Sequence, residues 1–116
     1  MASVRDVADL GVVEGYQAVT AADLPLGSTR CVEVDGTGVI VARGQDGQYY
    51  AVQRMCSHAA LPLDGGRVRG ASIVCPHHGA RFELKSGRVL GPPAYAAIAA
   101  FPTRERDGQV EVWIYS

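Results

Sequence analysis

The sequence has few cysteines and no long apolar segment. Three cysteines in 116 residues is an odd number, which argues against the disulfide framework of small secreted domains. No apolar run approaches the length that spans a bilayer, and the first residues contain no apolar signal segment. We therefore expect a cytoplasmic protein that has no membrane partner.

An excess of positive charge is also missing. The formal net charge is −1, and basic residues are not interleaved with aromatic ones, so the sequence does not indicate nucleic-acid binding. No nucleophile lies in a pattern with a general base, and no substrate-binding signature is present, so we expect no catalytic residues and no enzymatic activity of the chain alone.

The length and the turn residues favour one small β domain over residues 1–116. Fourteen glycines and six prolines fit short strands joined by tight turns. Residues 1–15 form an N-terminal extension, either a short helix from Ser3 to Leu10 or a tail, and Ala21–Leu26 is expected to make a turn of helix. The predicted strands are Tyr16–Val19, Ser28–Val34, Val39–Arg43, Tyr49–Val52, Arg67–Arg69, Ser72–Val74, Arg81–Leu84, Arg88–Leu90, Ala99–Thr103 and Val110–Tyr115.

Two short motifs carry the metal-binding chemistry. Cys56-Ser57-His58 is followed by sixteen residues and then by Cys75-Pro76-His77-His78-Gly79. Glycine and proline next to both motifs place them on loops. Two thiolates and two imidazoles are a complete ligand set either for structural zinc or for a [2Fe–2S] cluster of the Rieske type, in which one iron takes both cysteines and the other both histidines. The alternation of Cys and His in both loops favours the cluster.

These motifs, together with Phe82 and Ser86-Gly87, resemble those of Rieske ferredoxins, above all the ferredoxin components of ring-hydroxylating dioxygenase systems. The resemblance extends from about Tyr16 to Trp113. It implies an all-β Rieske fold, which is an antiparallel β-sandwich with a small inserted cluster-binding β subdomain at about 54–90. It also implies a Rieske-type [2Fe–2S] cofactor bound by Cys56, His58, Cys75 and His78.

The resemblance further implies an electron-transfer function in aromatic hydrocarbon catabolism. The partners would be an NAD(P)H-dependent ferredoxin reductase and a terminal oxygenase, both bound transiently by a monomer. Two alternatives remain: a Rieske small subunit of a nitrite-reductase-like complex, and a zinc-stabilised interaction module.

The residues around the motifs predict the reduction potential. In respiratory Rieske proteins two further cysteines bridge the ligand loops, but Leu61 and His77 stand at the matching positions here. Ala80 and Phe82 stand where those proteins carry hydroxyl groups that stabilise the reduced state. We therefore expect a potential near the bottom of the Rieske range of about −150 to +300 mV.

The sequence also makes predictions for residues other than the four ligands. His77 is expected to be a partly packed ring, with an alternative ligand or a proton relay as the other options. Leu61, Pro62, Pro92 and Pro93 are expected to form a rigid apolar collar around the cluster. Cys31 is expected to be a small strand side chain and not a redox thiol. Trp113 could mark a docking surface or lie buried in a sheet.

Charge is distributed unevenly along the chain. Residues 1–53 contain three basic and seven acidic residues, whereas residues 54–90 contain six basic and two acidic residues. A basic cluster-binding subdomain on an acidic base would orient encounters with a charged partner. Raising the ionic strength should then slow electron transfer.

Overall fold

The computed structural model describes residues 16–34, 36–57, 61–77, 79–92 and 96–114. All secondary structure within these ranges is β-strand, apart from turns, and every pairing is antiparallel. The strands are β1 (Tyr16–Val19), β2 (Thr29–Val34), β3 (Thr37–Arg43), β4 (Tyr49–Gln53), β5 (Arg67–Arg69), β6 (Ser72–Val74), β7 (Arg81–Glu83), β8 (Val89–Gly91), β9 (Ala100–Phe101), β10 (Thr103–Arg106) and β11 (Gln109–Trp113). The predicted all-β antiparallel class is confirmed.

The strands form three sheets. The end sheet has the order β1-β11-β10, the central sheet β2-β3-β4-β9, and the inserted sheet β5-β6-β7-β8. Strands β4 and β9 pair directly, with Ala51 opposite Phe101 and Val52 opposite Ala100. The inserted sheet therefore lies in the chain between two neighbouring strands of the central sheet.

Strand β3, in the middle of the central sheet, is buried on both faces. Val39 to Ala42 on β3 are all inaccessible to solvent, and successive side chains on a strand point to opposite faces. Ile40 and Ala42 face one core, whereas Val39 and Val41 face another. A continuous apolar run is the expected sequence pattern of a strand that is covered on both sides.

Each core joins the central sheet to one neighbouring sheet. The first core, between the central and inserted sheets, contains Ile40, Ala42, Val52, Cys56, Leu63, Val68, Ile73, Cys75, Ala80, Phe82, Leu84 and Ile98. The second core, between the central and end sheets, contains Ala21, Leu24, Val34, Val39, Val41, Tyr49, Ala51, Val110 and Val112. Both predicted metal-ligating cysteines belong to the first core.

Tyr49 and Tyr50 point to opposite faces of β4, as alternation predicts. Tyr49 is buried in the second core, and its hydroxyl donates a hydrogen bond to the carbonyl oxygen of Ala22 at 2.9 Å. Tyr50 is half-buried against the first core. The inserted sheet therefore covers the second face of β4 as well.

Most strands lie where the sequence predicts them, and two predicted elements differ from the structure. Residues 21–26 make turns instead of a helical turn, and the Leu24 amide donates to the Ala21 carbonyl oxygen at 3.1 Å. Pro25 has no amide hydrogen with which to continue a helix. The predicted strand Ala99–Thr103 is interrupted at Pro102: β9 lies before this residue, and β10 begins at Thr103, extends beyond the predicted strand to Arg106 and belongs to a different sheet.

The predicted helix or tail at Ser3–Leu10 lies outside the described residues. Within the described ranges, no helix reaches the length and apolarity that a membrane crossing requires.

Candidate metal centre

The first cysteine lies in a loop that closes on itself just after β4. The Cys56 amide donates a hydrogen bond to the Leu61 carbonyl oxygen at 2.7 Å, and Met55 forms an isolated β-bridge with Pro62. Leu63 then returns to the end of β4, since its amide donates to the Arg54 carbonyl oxygen at 2.7 Å. These bonds fix the backbone on both sides of the first motif.

The second cysteine directly follows β6, in a loop of similar construction. The Cys75 amide donates to the Ala80 carbonyl oxygen at 2.7 Å, and the Gly79 amide donates to the Cys75 carbonyl oxygen at 3.1 Å. Gly79 has a φ of 77°, a conformation that glycine adopts at little cost. The loop therefore reverses the chain within five residues and leads into β7.

Cys56 and Cys75 are each 2% exposed and pack in the same core cluster, and neither forms a disulfide. Two thiols brought together by separate loops in an apolar core suit a soft metal centre, because the surrounding protein excludes water from the thiolate ligands. The described part of the site thus fits a [2Fe–2S] cluster. His58 and His78 lie outside the described residues, so their role as ligands stays a prediction.

Two hydrogen bonds connect the ligand loops to each other and to a third loop. Nε2 of His77 lies 3.1 Å from the Pro62 carbonyl oxygen, and Oγ of Ser57 donates to the Ala96 carbonyl oxygen at 2.5 Å. His77 is exposed, not partly packed as predicted. Its ring connects the second loop to the first. Sequence reasoning gave Ser57 no role, although the residue lies inside the first motif.

The remaining predicted positions around the site differ in exposure. Leu61 and Pro62 are half-buried and Pro92 is exposed, so the described part of the proposed collar is only partly covered. Pro93 lies outside the described residues. Ala80 and Phe82 are fully buried, and neither side chain has a hydroxyl group.

A charged pair lies beside the first ligand loop. Nε and Nη2 of Arg54 donate to the two carboxylate oxygens of Asp64 at 2.9 and 3.1 Å. These bonds lower the pKa of Asp64. Desolvation raises the pKa of the neighbouring Cys31 thiol, and the charge of Asp64 adds to this effect. Cys31 is therefore a poor thiolate, as expected of an ordinary strand side chain.

Trp113 lies far from the ligand loops, on the end sheet. It is 43% exposed, and its ring lies 5.5 Å from that of Tyr16. The alternative that this residue is buried is wrong.

Comparisons with known proteins agree with this geometry. The model of the Rieske [2Fe-2S] domain family matches residues 14–102. The chain is 31% identical over 87 residues to the ferredoxin component of the naphthalene 1,2-dioxygenase system of Pseudomonas aeruginosa, covering 75% of this chain and 83% of that protein. Among solved structures it resembles the ferredoxin of carbazole 1,9a-dioxygenase from Nocardioides aromaticivorans IC177, with a TM-score of 0.80 and 29% identity over 86% of this chain and 98% of that one.

Similarity also extends to a much longer protein. The chain is 33% identical over 105 residues to the cholesterol 7-desaturase nvd of Hemicentrotus pulcherrimus. That match covers 82% of this chain but only 22% of the desaturase.

Proposed function

Because the chain belongs to the Rieske [2Fe–2S] domain family, we propose that it is the ferredoxin component of a ring-hydroxylating dioxygenase system. In this role it receives single electrons from an NAD(P)H-dependent ferredoxin reductase and delivers them to a terminal oxygenase. On this proposal the chain carries electrons, and the catalysis belongs to the oxygenase. The match to most of the length of two such ferredoxins supports this assignment over that of an oxygenase domain.

The observation that carries the proposal is the burial of Cys56 and Cys75 in one core at the ends of two short loops. We assign these cysteines to one iron of the cluster, and His58 and His78 to the other. The bound cluster accepts and releases one electron. The protein holds the ligand loops in place and shields both cysteines from water, and we assign the cluster-binding subdomain to residues 54–90.

The side chains near the cysteines support a low reduction potential. Ala80 and Phe82 are fully buried beside Cys75 in the first core, and neither side chain can donate a hydrogen bond that would favour the reduced state. Ascorbate should therefore reduce the protein only in part. A redox titration that gives full reduction by ascorbate would contradict this assignment.

We also propose a cytoplasmic monomer that binds its two partners in turn. Electron-transfer complexes are commonly small, burying below about 1,200 Å², which suits a carrier that must leave one partner before it meets the next. Sedimentation of the purified protein tests the monomer.

The function is tested with two measurements on the same preparation. An electron paramagnetic resonance spectrum of the reduced protein should show a Rieske signal, and the reduced protein should support turnover by the oxygenase of the naphthalene 1,2-dioxygenase system. A colourless protein fully loaded with zinc would refute the cluster. A normal Rieske signal without electron delivery to any oxygenase would refute the proposed partner.

A further inference from the structure

The outer face of the inserted sheet presents arginines in two adjacent rows. Arg67, Val74 and Arg81 lie directly opposite one another across β5, β6 and β7, and Arg69 is two residues along β5 from Arg67. Paired residues on antiparallel strands share a face. The alternate row, Val68, Ile73 and Phe82, is buried in the first core, so Arg67, Arg69 and Arg81 face solvent. We call these three residues the arginine face.

The acidic residues of this region are already bound to other cations. Asp64 is held by Arg54. Glu83 lies 3.7 Å from Arg88 and accepts a hydrogen bond from Oγ of Ser86 at 2.5 Å. Among the described residues, Arg67, Arg69 and Arg81 have no acidic side chain within ion-pair distance. Glu83 lies on the same face, in the row of Arg69, but its nearest cation is Arg88, so the net charge of the face stays positive.

The arginines are close enough to reinforce one another. Residues two apart on a strand are separated by about 7 Å, and residues two strands apart by about 10 Å. These spacings lie within or near the Debye length of about 8 Å at physiological salt. Like charges at such distances repel each other, and a negatively charged partner surface would relieve the repulsion.

A cavity connects the arginine face to the candidate metal centre. It has a volume of about 340 Å³ and is lined by Gly65, Arg67, Val74, Cys75, Pro76 and Gly79. Arg67 belongs both to the cavity and to the arginine face, while Cys75 is a proposed cluster ligand. A partner bound at this face would therefore approach the second ligand loop from the side.

We propose that the arginine face docks a redox partner through carboxylates that border the partner's own cofactor. The inference rests on the proposed function, since it takes the partner to be one of the two redox proteins that the carrier meets. Three exposed arginines with no acidic side chain within ion-pair distance among the described residues attract a partner surface that presents carboxylates, so this charge orients an acidic partner toward the inserted sheet.

The test uses three charge-reversed variants. Arg67→Glu/Arg81→Glu changes the arginine face, and Arg106→Glu is a control on β10, where another exposed strand arginine has no acidic partner within the described residues. Arg67→Glu alone matches the control in charge. All these side chains are exposed, so the visible absorbance of the cluster and the melting temperature should stay unchanged.

The first measurement is the rate at which the dithionite-reduced variants are oxidised by small probes. Each reduced molecule gives one electron to one ferricyanide anion, which becomes ferrocyanide, or to one hexaamminecobalt(III) cation. The double variant should react about three- to tenfold more slowly with ferricyanide at low salt and faster with the cation. Arg106→Glu should change either rate less than Arg67→Glu does, and the differences should vanish near about 0.5 M salt. Equal effects of Arg67→Glu and Arg106→Glu would overturn the proposal.

The second measurement uses the reductase and oxygenase of the naphthalene 1,2-dioxygenase system as protein partners. The double variant should transfer electrons more slowly with at least one of them, with a weaker salt dependence than the unaltered protein. Unchanged transfer by the double variant would overturn the arginine face and leave the proposed function standing. A third outcome is possible: the unaltered protein reacts with neither partner, but the variants still differ with ferricyanide and the cobalt cation as predicted. The proposed function then fails, and the role of the arginine face in the approach of charged molecules to the centre survives.

A fluorescence titration with labelled duplex DNA separates a carboxylate partner from a phosphate one. No binding at physiological salt is expected. Binding that Arg67→Glu abolishes and Arg106→Glu retains would assign the arginine face to nucleic acid and overturn the proposal.

Discussion

The two faces of the central sheet pack against different neighbouring sheets and differ in the residues that they bury. The face toward the end sheet packs aliphatic side chains, Tyr49 and Phe101 into the second core. The face toward the inserted sheet packs a comparable set of side chains and adds Cys56 and Cys75. The same strands β3 and β4 supply both faces, so the difference comes from what covers them.

This comparison shows that the proposed ligands are part of a hydrophobic core. A change on the inserted-sheet side should disturb both stability and cluster retention, whereas a change on the end-sheet side should disturb stability alone. The following predictions test that separation, from the largest effect to the smallest.

Replacing a proposed ligand should remove the cluster. Cys75→Ser exchanges a thiolate for a hydroxyl that binds iron weakly, so we expect near-complete loss of iron and of visible absorbance. Cys31→Ser makes the same chemical change on β2 and should retain both. Iron analysis of the two purified variants is the measurement, and an iron-replete Cys75→Ser protein would show that the first core does not hold the cluster through this residue.

A backbone contact on the inserted-sheet side should make the unfolding free energy sensitive to a single added methyl group. A Cβ atom at Gly87 would overlap the Ile98 carbonyl oxygen, whereas one at Gly47 would meet nothing within 4 Å, although both glycines have positive φ. Gly47→Ala should cost about 1 kcal/mol of unfolding free energy from the left-handed conformation alone.

Gly87→Ala adds the steric clash, so its cost should exceed that of Gly47→Ala by about 2 kcal/mol or more. Urea unfolding of both variants gives the difference. Equal losses would mean that the loop before β9 moves freely away from the first core.

Two valines allow the faces to be compared with one substitution. Val52 faces the first core and Val41 the second, and both are fully buried. Val52→Ala and Val41→Ala should each cost about 1–3 kcal/mol, because each deletes two methyl groups and leaves a small cavity. Only Val52→Ala should speed the loss of visible absorbance in the presence of a chelator. If both variants lost visible absorbance at similar rates, the first core would not differ from the second in its effect on cluster retention.

His77 should act on the ligand loops through its hydrogen bond. His77→Phe removes the contact with the Pro62 carbonyl oxygen, and His77→Gln keeps a donor that can reach it. A single net hydrogen bond is worth about 1 kcal/mol, so the phenylalanine variant should lose its cluster about fivefold faster. The glutamine variant should recover part of that loss. His77→Ala, by the same argument, should weaken cluster retention without abolishing the signal.

The smallest effect concerns Cys31, at the rim of the inserted-sheet face. The charge of Asp64 raises the pKa of this thiol, so Asp64→Asn should lower the pKa and increase the thiolate fraction at any pH below it. Alkylation of Cys31 by iodoacetamide at mildly alkaline pH, followed by mass spectrometry, should be faster in the variant. A slower reaction would contradict this prediction and would mean that loss of the Arg54–Asp64 pair makes the Cys31 sulfur less accessible to iodoacetamide.

Much of this arrangement could be predicted from local sequence. The strands follow from β-branched runs between glycine turns, and the loop positions of Cys56 and Cys75 follow from their proline and glycine neighbours. Burial of β3 on both faces also follows from local sequence, because Val39–Ala42 is an uninterrupted apolar stretch.

Contacts between distant loops could not be predicted in this way. Ser57 and Ala96 are 39 residues apart, and their contact depends on how two irregular loops approach each other. The exposed position of His77 is a similar case, because its partner is a backbone carbonyl and not a side chain that a motif could reveal. The prediction of a helical turn at Ala21–Leu26 was wrong because a single helical turn and two successive β-turns share their residue preferences.

The direct pairing of β4 with β9 has a consequence for how the chain can vary. Paired Cα atoms on antiparallel strands are only about 5 Å apart. The whole segment between β4 and β9, which contains both ligand loops and the inserted sheet, therefore leaves and re-enters the central sheet at adjacent positions. The distance between the two ends of this segment is set by the pairing of β4 with β9 and does not depend on the length of the segment. Residues can therefore be gained or lost in its outer turns without any shift in the register of the strands that hold it.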